Sequence, residues 1–292
     1  ALEQGGAEVR IVDASAEQLS IRNTLLKVLR ENPDVVGIPV SLSTYNVVRS
    51  LVELIRERLP DTIIVVGGYL ATVYPELTLR ELSADIAVRG EGELTMLDLL
   101  MKRFKTLEKV QGISYRKGEK IIHNVSRPPI EPLDTLPFPA RHLLPLQLYR
   151  PSLRRDFRRK KHGYTTMITS RGCPYKCIFC SSKAIHGNKV RARSPENVVD
   201  EIEQVISEYD VDYIVFYDDV FTYYKSRVEK ICTLIRKRGL DVIWSCDTRV
   251  DLVNRHLLET MKRAGCVSVS YGIESGSPLI QRYIRKYIDL DK

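Results

Sequence analysis

Short apolar runs alternate with amphipathic helical patterns in the N-terminal part of the chain. A continuously apolar run such as Val35–Pro39 is typical of a strand that a parallel sheet buries on both faces. Apolar residues at helical spacing predict a helix over Tyr45–Arg58. The alternation predicts a doubly wound α/β region with ligands at the carboxyl ends of its strands. The other elements predicted there are strands at Val9–Asp13, Thr62–Val66 and Asp85–Val88, helices at Ala16–Arg30 and Glu93–Phe104, and a hairpin over Val110–Ile122.

The same alternation returns after residue 163 and predicts a parallel β/α barrel. Ser194-Pro-Glu196 predicts a helix start, because serine caps the helix and proline fits its first turn. Chemistry in such barrels gathers at the carboxyl ends of the strands. Later barrel strands would follow Lys292, so we expect only part of a barrel. The predicted strands are Tyr164–Ser170, Val211–Tyr217, Val242–Cys246 and Val267–Tyr271, and the helices run from Pro195 to about Tyr209, over Lys225–Arg238 and over Asn254–Ala264.

A proline-rich stretch, Pro128–Pro139, lies between these halves and excludes a helix there. A basic run, Arg154–His162, follows it. We therefore expect an α/β domain over residues 1–125, a proline-rich and basic linker over 126–162, and a partial barrel over 163–292. The chain begins at Ala1 without methionine, and we expect truncation at both ends, with the first strand of the α/β domain missing.

Composition bounds the classes of function. The chain has 292 residues, 43% hydrophobic and 28% charged, with a net charge of +8. No apolar stretch approaches the ~20 residues that a membrane helix needs. The basic run has the composition of a nucleic-acid contact, but such runs are more often solvated linkers. Six cysteines without a signal segment favour a reducing compartment, so we expect the cytoplasm.

Three cysteines, Cys173, Cys177 and Cys180, share one short loop with the spacing C-x₃-C-x₂-C. Thiolates are the usual ligands of an iron–sulfur cube, which normally takes four. Three ligands leave one iron open, and an open position separates a catalytic metal site from a structural one. A zinc site completed by His186 is the alternative, although zinc motifs usually place a second ligand pair at a distance. We expect the other cysteines, Cys232, Cys246 and Cys266, to be small buried hydrophobes.

Polar or small residues follow several predicted strands. Ser41-Leu42-Ser43 supplies hydroxyls, and Gly67-Gly68 lets a ligand lie close to the backbone. Taken alone, these features favour a helix cap and a plain turn over a ligand site. In the second half the residues that follow strands are Asp218, Asp219, Arg249, Glu274 and Ser275, each of which could also be a cap or a surface ion pair.

The cysteine loop and the strand before it resemble the radical S-adenosylmethionine (SAM) superfamily. The resemblance implies that the three cysteines hold a [4Fe-4S] cluster whose fourth iron binds SAM, with the aromatic Phe179 shielding the cluster. In that family the segment at Asp218-Asp219 contacts the SAM amino group, although this sequence departs from the usual pattern. A guanidinium fork makes Arg249 a candidate for the SAM carboxylate. Glu274 and Ser275 resemble a Gly-x-Glu-Ser-Gly segment and are candidates for ribose contacts.

The N-terminal half resembles the Rossmann-like cobalamin-binding domain that precedes many radical SAM enzymes. Ser41-Leu42-Ser43, Gly67-Gly68 and Asp85–Glu93 carry this resemblance in order, and Leu133–Arg141 resembles the linker of such proteins. The serine and glycine positions would line the slot for the nucleotide tail of cobalamin. The family's cobalt-ligand motif, Asp-x-His-x-x-Gly, would lie before Ala1.

The two resemblances together imply a cobalamin-dependent radical SAM enzyme. Such an enzyme takes its electron from a donor such as a flavodoxin or ferredoxin and acts on a small-molecule substrate. We expect a C-methyltransferase, with an oxidative cyclase or rearrangement enzyme as the alternative, since one domain pair serves several reactions. A zinc-stabilised nucleic-acid-binding protein is a more remote alternative. The sequence does not indicate the substrate.

Overall fold

The computed structural model describes residues 1–149 and 163–290, which form two compact units. Each unit contains its own sheet and its own apolar core. The first unit comprises Ala1–Ile130, His142–Leu144 and Ala184–His186, and the second comprises the described residues of Glu131–Arg141, Pro145–Lys183 and Gly187–Lys292. The basic run Arg154–His162 lies outside the described residues.

The first unit is built on a five-stranded sheet in the order β1-β2-β3-β4-β5. The first three strands are parallel, and the last two form the predicted antiparallel hairpin. The strands are β1 Val35–Pro39, β2 Ile63–Gly67, β3 Ile86–Val88, β4 Ile113–Lys117 and β5 Lys120–His123. The helices are α1 Ile21–Glu31, α2 Tyr45–Arg58, α3 Tyr69–Val73, α4 Pro75–Glu81 and α5 Glu93–Met101.

Alternate residues of β2 face two different apolar clusters. Ile64 and Val66 pack with Val52 and Ile55 of α2, whereas Val65 belongs to a cluster on the other face, which includes Leu99 of α5. All are nearly or fully buried. Burial on both faces explains why β2 is apolar throughout.

Two predictions near the N-terminus are wrong. Val9–Asp13 forms no strand; it pairs with no other strand of the described residues, and Ile11 is exposed. The first helix begins at Ile21 rather than Ala16, because Ser20 Oγ accepts a hydrogen bond from the Asn23 N–H and caps the helix there. Apolar alternation therefore predicted a strand for which the sheet provides no partner.

The second unit contains a parallel four-stranded sheet in the order β11-β10-β9-β6, so its strands lie in the sheet in the order in which they occur along the chain. This is the arrangement of a partial β/α barrel, as predicted. The sheet strands are β6 Gly163–Met167, β9 Val211–Phe216, β10 Ile243–Thr248 and β11 Cys266–Tyr271, and a separate antiparallel pair is formed by β7 Ser170–Arg171 and β8 Arg191–Ala192. The helices are α6 Ser182–His186, α7 Pro195–Tyr209, α8 Lys225–Lys237, α9 Arg255–Arg263 and α10 Pro278–Tyr283.

An aromatic group forms the centre of the second core. Phe216 and Phe221 stack with ring centroids 4.8 Å apart, and Trp244 lies 5.4 Å from Phe216. Apolar residues of α7, α8 and α9 cover them. Because the strands are parallel and in register, the residues that follow β6, β9, β10 and β11 lie along one edge of the sheet.

A buried charge group joins the segment that follows the proline-rich stretch to α7 within the second unit. Arg141 Nη2 lies 2.6 Å from Glu201 Oε1, and Arg193 binds the other Glu201 oxygen. Arg141 and Glu201 are both almost fully buried. Across the described part of the chain, no helix has the length and apolarity that crossing a bilayer would require.

Candidate active site

The cysteine loop begins where β7 ends and is a tight, locally bonded segment. Gly172 adopts φ +92°, and the Cys180 N–H donates to the Cys177 carbonyl at 3.3 Å. The Cys173 N–H donates to the Gly187 carbonyl at 3.3 Å. All three thiols are free; Cys177 is buried, Cys173 half-buried and Cys180 exposed. The loop therefore presents three unpaired sulfur ligands from one short segment.

The surroundings of Cys173 disfavour ionisation of its thiol. Burial raises the pKa of Cys173, and the Asp219 carboxylate and the other two thiols raise it further, against a backbone hydrogen bond at Tyr175 that lowers it. A bound cation would offset this penalty on the Cys173 thiolate, so the donor chemistry fits an iron–sulfur cluster. Within residues 1–149 and 163–290, no three histidine, cysteine or carboxylate side chains already form a ready metal site.

The two aspartates after β9 have different environments. Asp218 is 2% exposed, and three hydrogen bonds from Thr169 and Ser170 occupy its carboxylate. Burial raises the pKa of Asp218 although these bonds oppose the shift. Asp219 is exposed and close enough to influence Cys173. Of the pair, only Asp219 is free to meet a ligand beside the loop.

Arg249, after β10, braces the cysteine loop. Its guanidinium carbon lies 3.7 Å from the centroid of the Tyr175 ring, a cation–π contact. Nε and Nη2 donate to Asp251 at 3.0 and 2.7 Å, and Nη1 donates to the Lys286 carbonyl at 3.0 Å. Three of the Arg249 guanidinium N–H groups, which were expected to bind a SAM carboxylate, thus already donate to groups of the protein. Sequence reasoning missed Asp251, although its place two residues after Arg249 was a usable signal.

A second charged pair lies over Phe179. Lys286 Nζ is 2.7 Å from Glu274 Oε1 and 5.5 Å from the centroid of the Phe179 ring. Lys286 is 8% exposed, whereas Phe179 is 53% exposed. Glu274 adopts φ +66°, which is uncommon for a non-glycine residue and frequent at functional sites. Sequence reasoning missed Lys286, and no local pattern marks it.

Ser275 shapes the loop that carries Glu274. Its hydroxyl accepts the Ser277 N–H at 3.1 Å, and its carbonyl accepts from Gln281 Nε2 at 2.6 Å. The buried Gln281 amide also binds the Ile273 carbonyl at 2.6 Å. The structure therefore gathers four groups of residues singled out from the sequence at one edge of the second sheet: the cysteines with Phe179, Asp219, Arg249, and Glu274 with Ser275.

The ends of β1 and β2 in the first unit carry no charged residue, whereas Arg89 and Glu91 follow β3. Ser41 Oγ lies 2.9 Å from Ser43 Oγ and 3.1 Å from Thr44 Oγ1, while Leu42 between them is 84% exposed. Gly67 ends β2, and its carbonyl accepts the Val40 N–H at 2.8 Å. Gly68 has φ +88° and ψ −162°, and a Cβ there would lie 3.1 Å from the Val40 carbonyl oxygen. The two motifs thus form one uncharged ledge at the ends of β1 and β2, where the missing Cβ of Gly68 leaves room for the Val40 backbone.

His186 contacts a carboxylate, and the three remaining cysteines lie in or beside the second core. His186 Nδ1 is 3.5 Å from Glu91 Oε1 within the first unit, so this ring nitrogen faces a carboxylate. Burial raises the pKa of Cys232 to about 12, and a hydrogen bond with Cys266 together with burial raises that of Cys246. Cys232 and Cys246 are neutral core residues, as predicted.

Comparisons with known proteins agree with both halves of this description. A model described as the B12 binding domain matches residues 1–100, and one described as the Radical SAM superfamily matches residues 167–291. An uncharacterized methyltransferase of Pyrococcus horikoshii is 35% identical over 286 residues, which are 96% of this chain and 60% of that protein. The anaerobic magnesium-protoporphyrin IX monomethyl ester cyclase of Rubrivivax gelatinosus is 31% identical over 304 residues, covering 100% of this chain and 53% of that protein. The chain thus spans little more than half the length of these relatives.

Solved structures share the fold. The cobalamin-dependent S-adenosylmethionine radical enzyme OxsB, solved with aqua-cobalamin and S-adenosylmethionine bound, has a TM-score of 0.79 at 21% identity, covering 98% of this chain and 41% of that one. The radical S-adenosylmethionine methyltransferase TsrM from Kitasatospora setae has a TM-score of 0.75 at 19% identity, covering 96% and 56%. The likeness extends over both units of the chain.

Proposed function

The chain belongs to the radical SAM superfamily and carries a B12-binding domain, and we propose that it is the cofactor-binding part of a cobalamin-dependent C-methyltransferase. The observation that carries the proposal is the free three-thiol loop beside Asp219 at the edge of a parallel sheet. When bound, the cluster and SAM supply a 5′-deoxyadenosyl radical that removes hydrogen from carbon, and cobalamin supplies a methyl group. The protein binds, orients and shields these groups.

In this proposal Cys173, Cys177 and Cys180 ligate the cluster. The exposed ring of Phe179 covers it from water, and the stacking of Arg249 on Tyr175 holds the loop that carries the ligands. Buried thiols need compensation for their charge once ionised, which iron provides.

The residues around the loop offer complementary partners for SAM. Asp219 accepts hydrogen bonds from the SAM ammonium group, because its carboxylate is exposed beside Cys173. Arg249 has five N–H donors and uses three in the bonds described, which leaves N–H groups for the SAM carboxylate. Glu274 and Ser275 supply polar partners for the ribose hydroxyls, and Lys286 orients Glu274.

The uncharged ledge of the first unit fits the tail of cobalamin. Ser41 and Ser43 supply hydroxyls, Leu42 an exposed apolar surface, and Gly67 and Gly68 a backbone without side chains. A large ligand can approach such a backbone closely. No residue of this chain is assigned as a cobalt ligand.

Anaerobic reconstitution of the chain with iron and sulfide, followed by reduction and addition of SAM, tests the first part of the proposal. We expect visible iron–sulfur absorption and release of 5′-deoxyadenosine and methionine. Stoichiometric zinc binding without a cluster would overturn it and favour the zinc-stabilised alternative. A flavodoxin or ferredoxin is the donor class proposed, and a chemical reductant replaces it in this assay.

Methyl transfer and cyclisation are distinguished by the fate of the SAM methyl group. One of the relatives described above is named a methyltransferase, and the other is named a cyclase. With cobalamin and SAM labelled in its methyl group, a methyltransferase moves label onto protein-bound cobalamin. Release of all label as methionine would favour the cyclase, and absence of cobalamin binding would contradict the two-cofactor mechanism.

A further inference from the structure

The segment between β6 and the cysteine loop is held by a carboxylate that no ligand can reach. Asp218 Oδ1 accepts the Thr169 N–H at 2.6 Å, and Oδ2 accepts the hydroxyls of Thr169 at 2.5 Å and Ser170 at 2.7 Å. Thr169 is fully buried, and Ser170 and Asp218 nearly so. Three donors therefore bind the Asp218 carboxylate inside the protein. Two of them belong to Thr169, which lies four residues before Cys173.

The opposite side of the same residue is held by cationic and backbone donors. Arg227 of α8 donates from Nη2 to the Thr169 carbonyl at 2.8 Å and from Nε to the Arg193 carbonyl at 2.7 Å. The Arg193 N–H also donates to the Thr169 carbonyl, at 2.9 Å. Ser170 pairs with Ala192 in the β7–β8 ladder. Both backbone groups of Thr169 are thus fixed by charged side chains from other elements.

The strength of these hydrogen bonds, set against the cost of burying charges, indicates what the buried charges contribute. Hydrogen bonds to charged groups are about twice as strong as those between neutral groups, whereas burying an ion without adequate partners is strongly destabilising. The opposite charges of Asp218 and Arg227 attract each other, and this attraction offsets part of the free-energy cost of burying them. An apolar contact would hold a strand end without that cost. Charge-assisted bonds add direction, because they fix where the chain leaves the sheet.

We propose that Asp218 and Arg227 are positioning residues, which clamp Thr169 and so fix the origin and direction of the cysteine loop. The inference rests on the proposed role of Cys173, Cys177 and Cys180 as cluster ligands. Asp218 then acts through Thr169 and Ser170, while its neighbour Asp219 remains for the ligand. A misplacement of the loop by about 1 Å can lower a rate about 100-fold.

The test compares Asp218→Asn with Thr222→Val. Asparagine cannot accept all three bonds, since its Nδ2 is a donor. Thr222 is equally buried and follows the same strand, and its hydroxyl lies 2.6 Å from Thr248 Oγ1, so its valine variant loses one buried hydrogen bond elsewhere. Each chain is reconstituted anaerobically, and iron and sulfide content, the EPR signal of the reduced cluster with and without SAM, and kcat and KM for SAM cleavage are measured.

We expect Asp218→Asn to retain less cluster, to show a weaker SAM-induced change in EPR signal and to lose up to about 100-fold in kcat with a smaller change in KM. Thr222→Val should match the wild type in all three. Equal cluster content, EPR response and kcat in Asp218→Asn and the wild type would overturn the clamp.

A second pair keeps the inference testable if Asp218→Asn does not fold. Thr169→Ser keeps the hydroxyl that binds Asp218, and Thr169→Val removes it with little change in shape. We expect serine to preserve the EPR response and kcat and valine to reduce both; equal values in the two variants would contradict the proposal. If the wild-type chain assembles no cluster, the proposed function fails and the clamp fails with it, whereas a wild-type cluster with an indifferent Asp218→Asn refutes the clamp alone.

Discussion

The strand ends of the two units use polar groups in opposite ways. At the ends of β1 and β2 in the first unit, the hydroxyls of Ser41, Ser43 and Thr44 bond to one another, and Gly68 packs closely against the Val40 backbone. In the second unit charged side chains have specific partners: Asp218 binds Thr169, Arg249 binds Asp251, and Lys286 binds Glu274. The ends of β1 and β2 are therefore defined by shape, and the strand ends of the second unit by oriented charge.

This difference matches the chemistry proposed for each edge. A ledge without charges accommodates a large ligand through fit alone, whereas a reactive centre needs its groups held in place before the ligand arrives. Substitutions should therefore act through geometry in the first unit and through charge and ligation in the second.

The largest expected effect comes from replacing a cysteine of the loop, compared with replacing a cysteine of the core in the same unit. Cys177→Ala removes a proposed ligand, so we expect it to abolish cluster assembly and 5′-deoxyadenosine formation. Cys232→Ala is the matched control, because Cys232 is fully buried in the core and outside the loop. It should lower stability slightly and keep the cluster. Full iron content in Cys177→Ala, measured after anaerobic reconstitution, would refute the ligand assignment.

The next effect tests the buried charges of the second unit. Glu201→Gln leaves Arg141 and Arg193 without their anion, and breaking a buried pair costs about 3–5 kcal/mol in free energy of unfolding. Glu203→Gln, on the same helix, disturbs only an exposed contact with Arg238 and should cost at most about 1 kcal/mol. Urea unfolding measures both. Similar losses of unfolding free energy in the two variants would contradict a larger contribution from the buried charges than from the exposed pair.

Whether a feature could be predicted from the sequence depended on whether its partners lie close to it along the chain. The helix over Tyr45–Arg58 and the cap at Ser194 were predictable because period and capping depend on neighbouring residues. The cysteine loop was predictable because its spacing is local. Lys286 was missed because its partner, Glu274, lies twelve residues away across a loop. The role of Asp218 is set by donors more than forty residues earlier, which no local pattern contains.

A smaller effect tests the uncharged ledge. Gly68 has backbone angles that side chains other than glycine rarely adopt, so Gly68→Ala should cost about 1–3 kcal/mol and weaken cobalamin binding. Gly37 in β1 has open space where a Cβ would be, and Gly37→Ala should be close to neutral. Thermal unfolding and cobalamin titration by absorbance measure the two variants. Equal stability and equal cobalamin affinity would contradict a ledge shaped by backbone approach.

The smallest effect compares helix caps in the two units. Ser20 Oγ and Ser194 Oγ each accept a backbone N–H at 3.2 Å, so each alanine variant should cost about 1 kcal/mol. The single tryptophan, Trp244, lies in the core of the second unit and reports unfolding of that unit. Because the units have separate cores, we expect Ser194→Ala to shift the midpoint of the fluorescence transition in urea and Ser20→Ala to shift only circular dichroism. Equal fluorescence shifts would mean that the two units unfold together, and the contrast between their strand ends would then have to be measured through binding rather than stability.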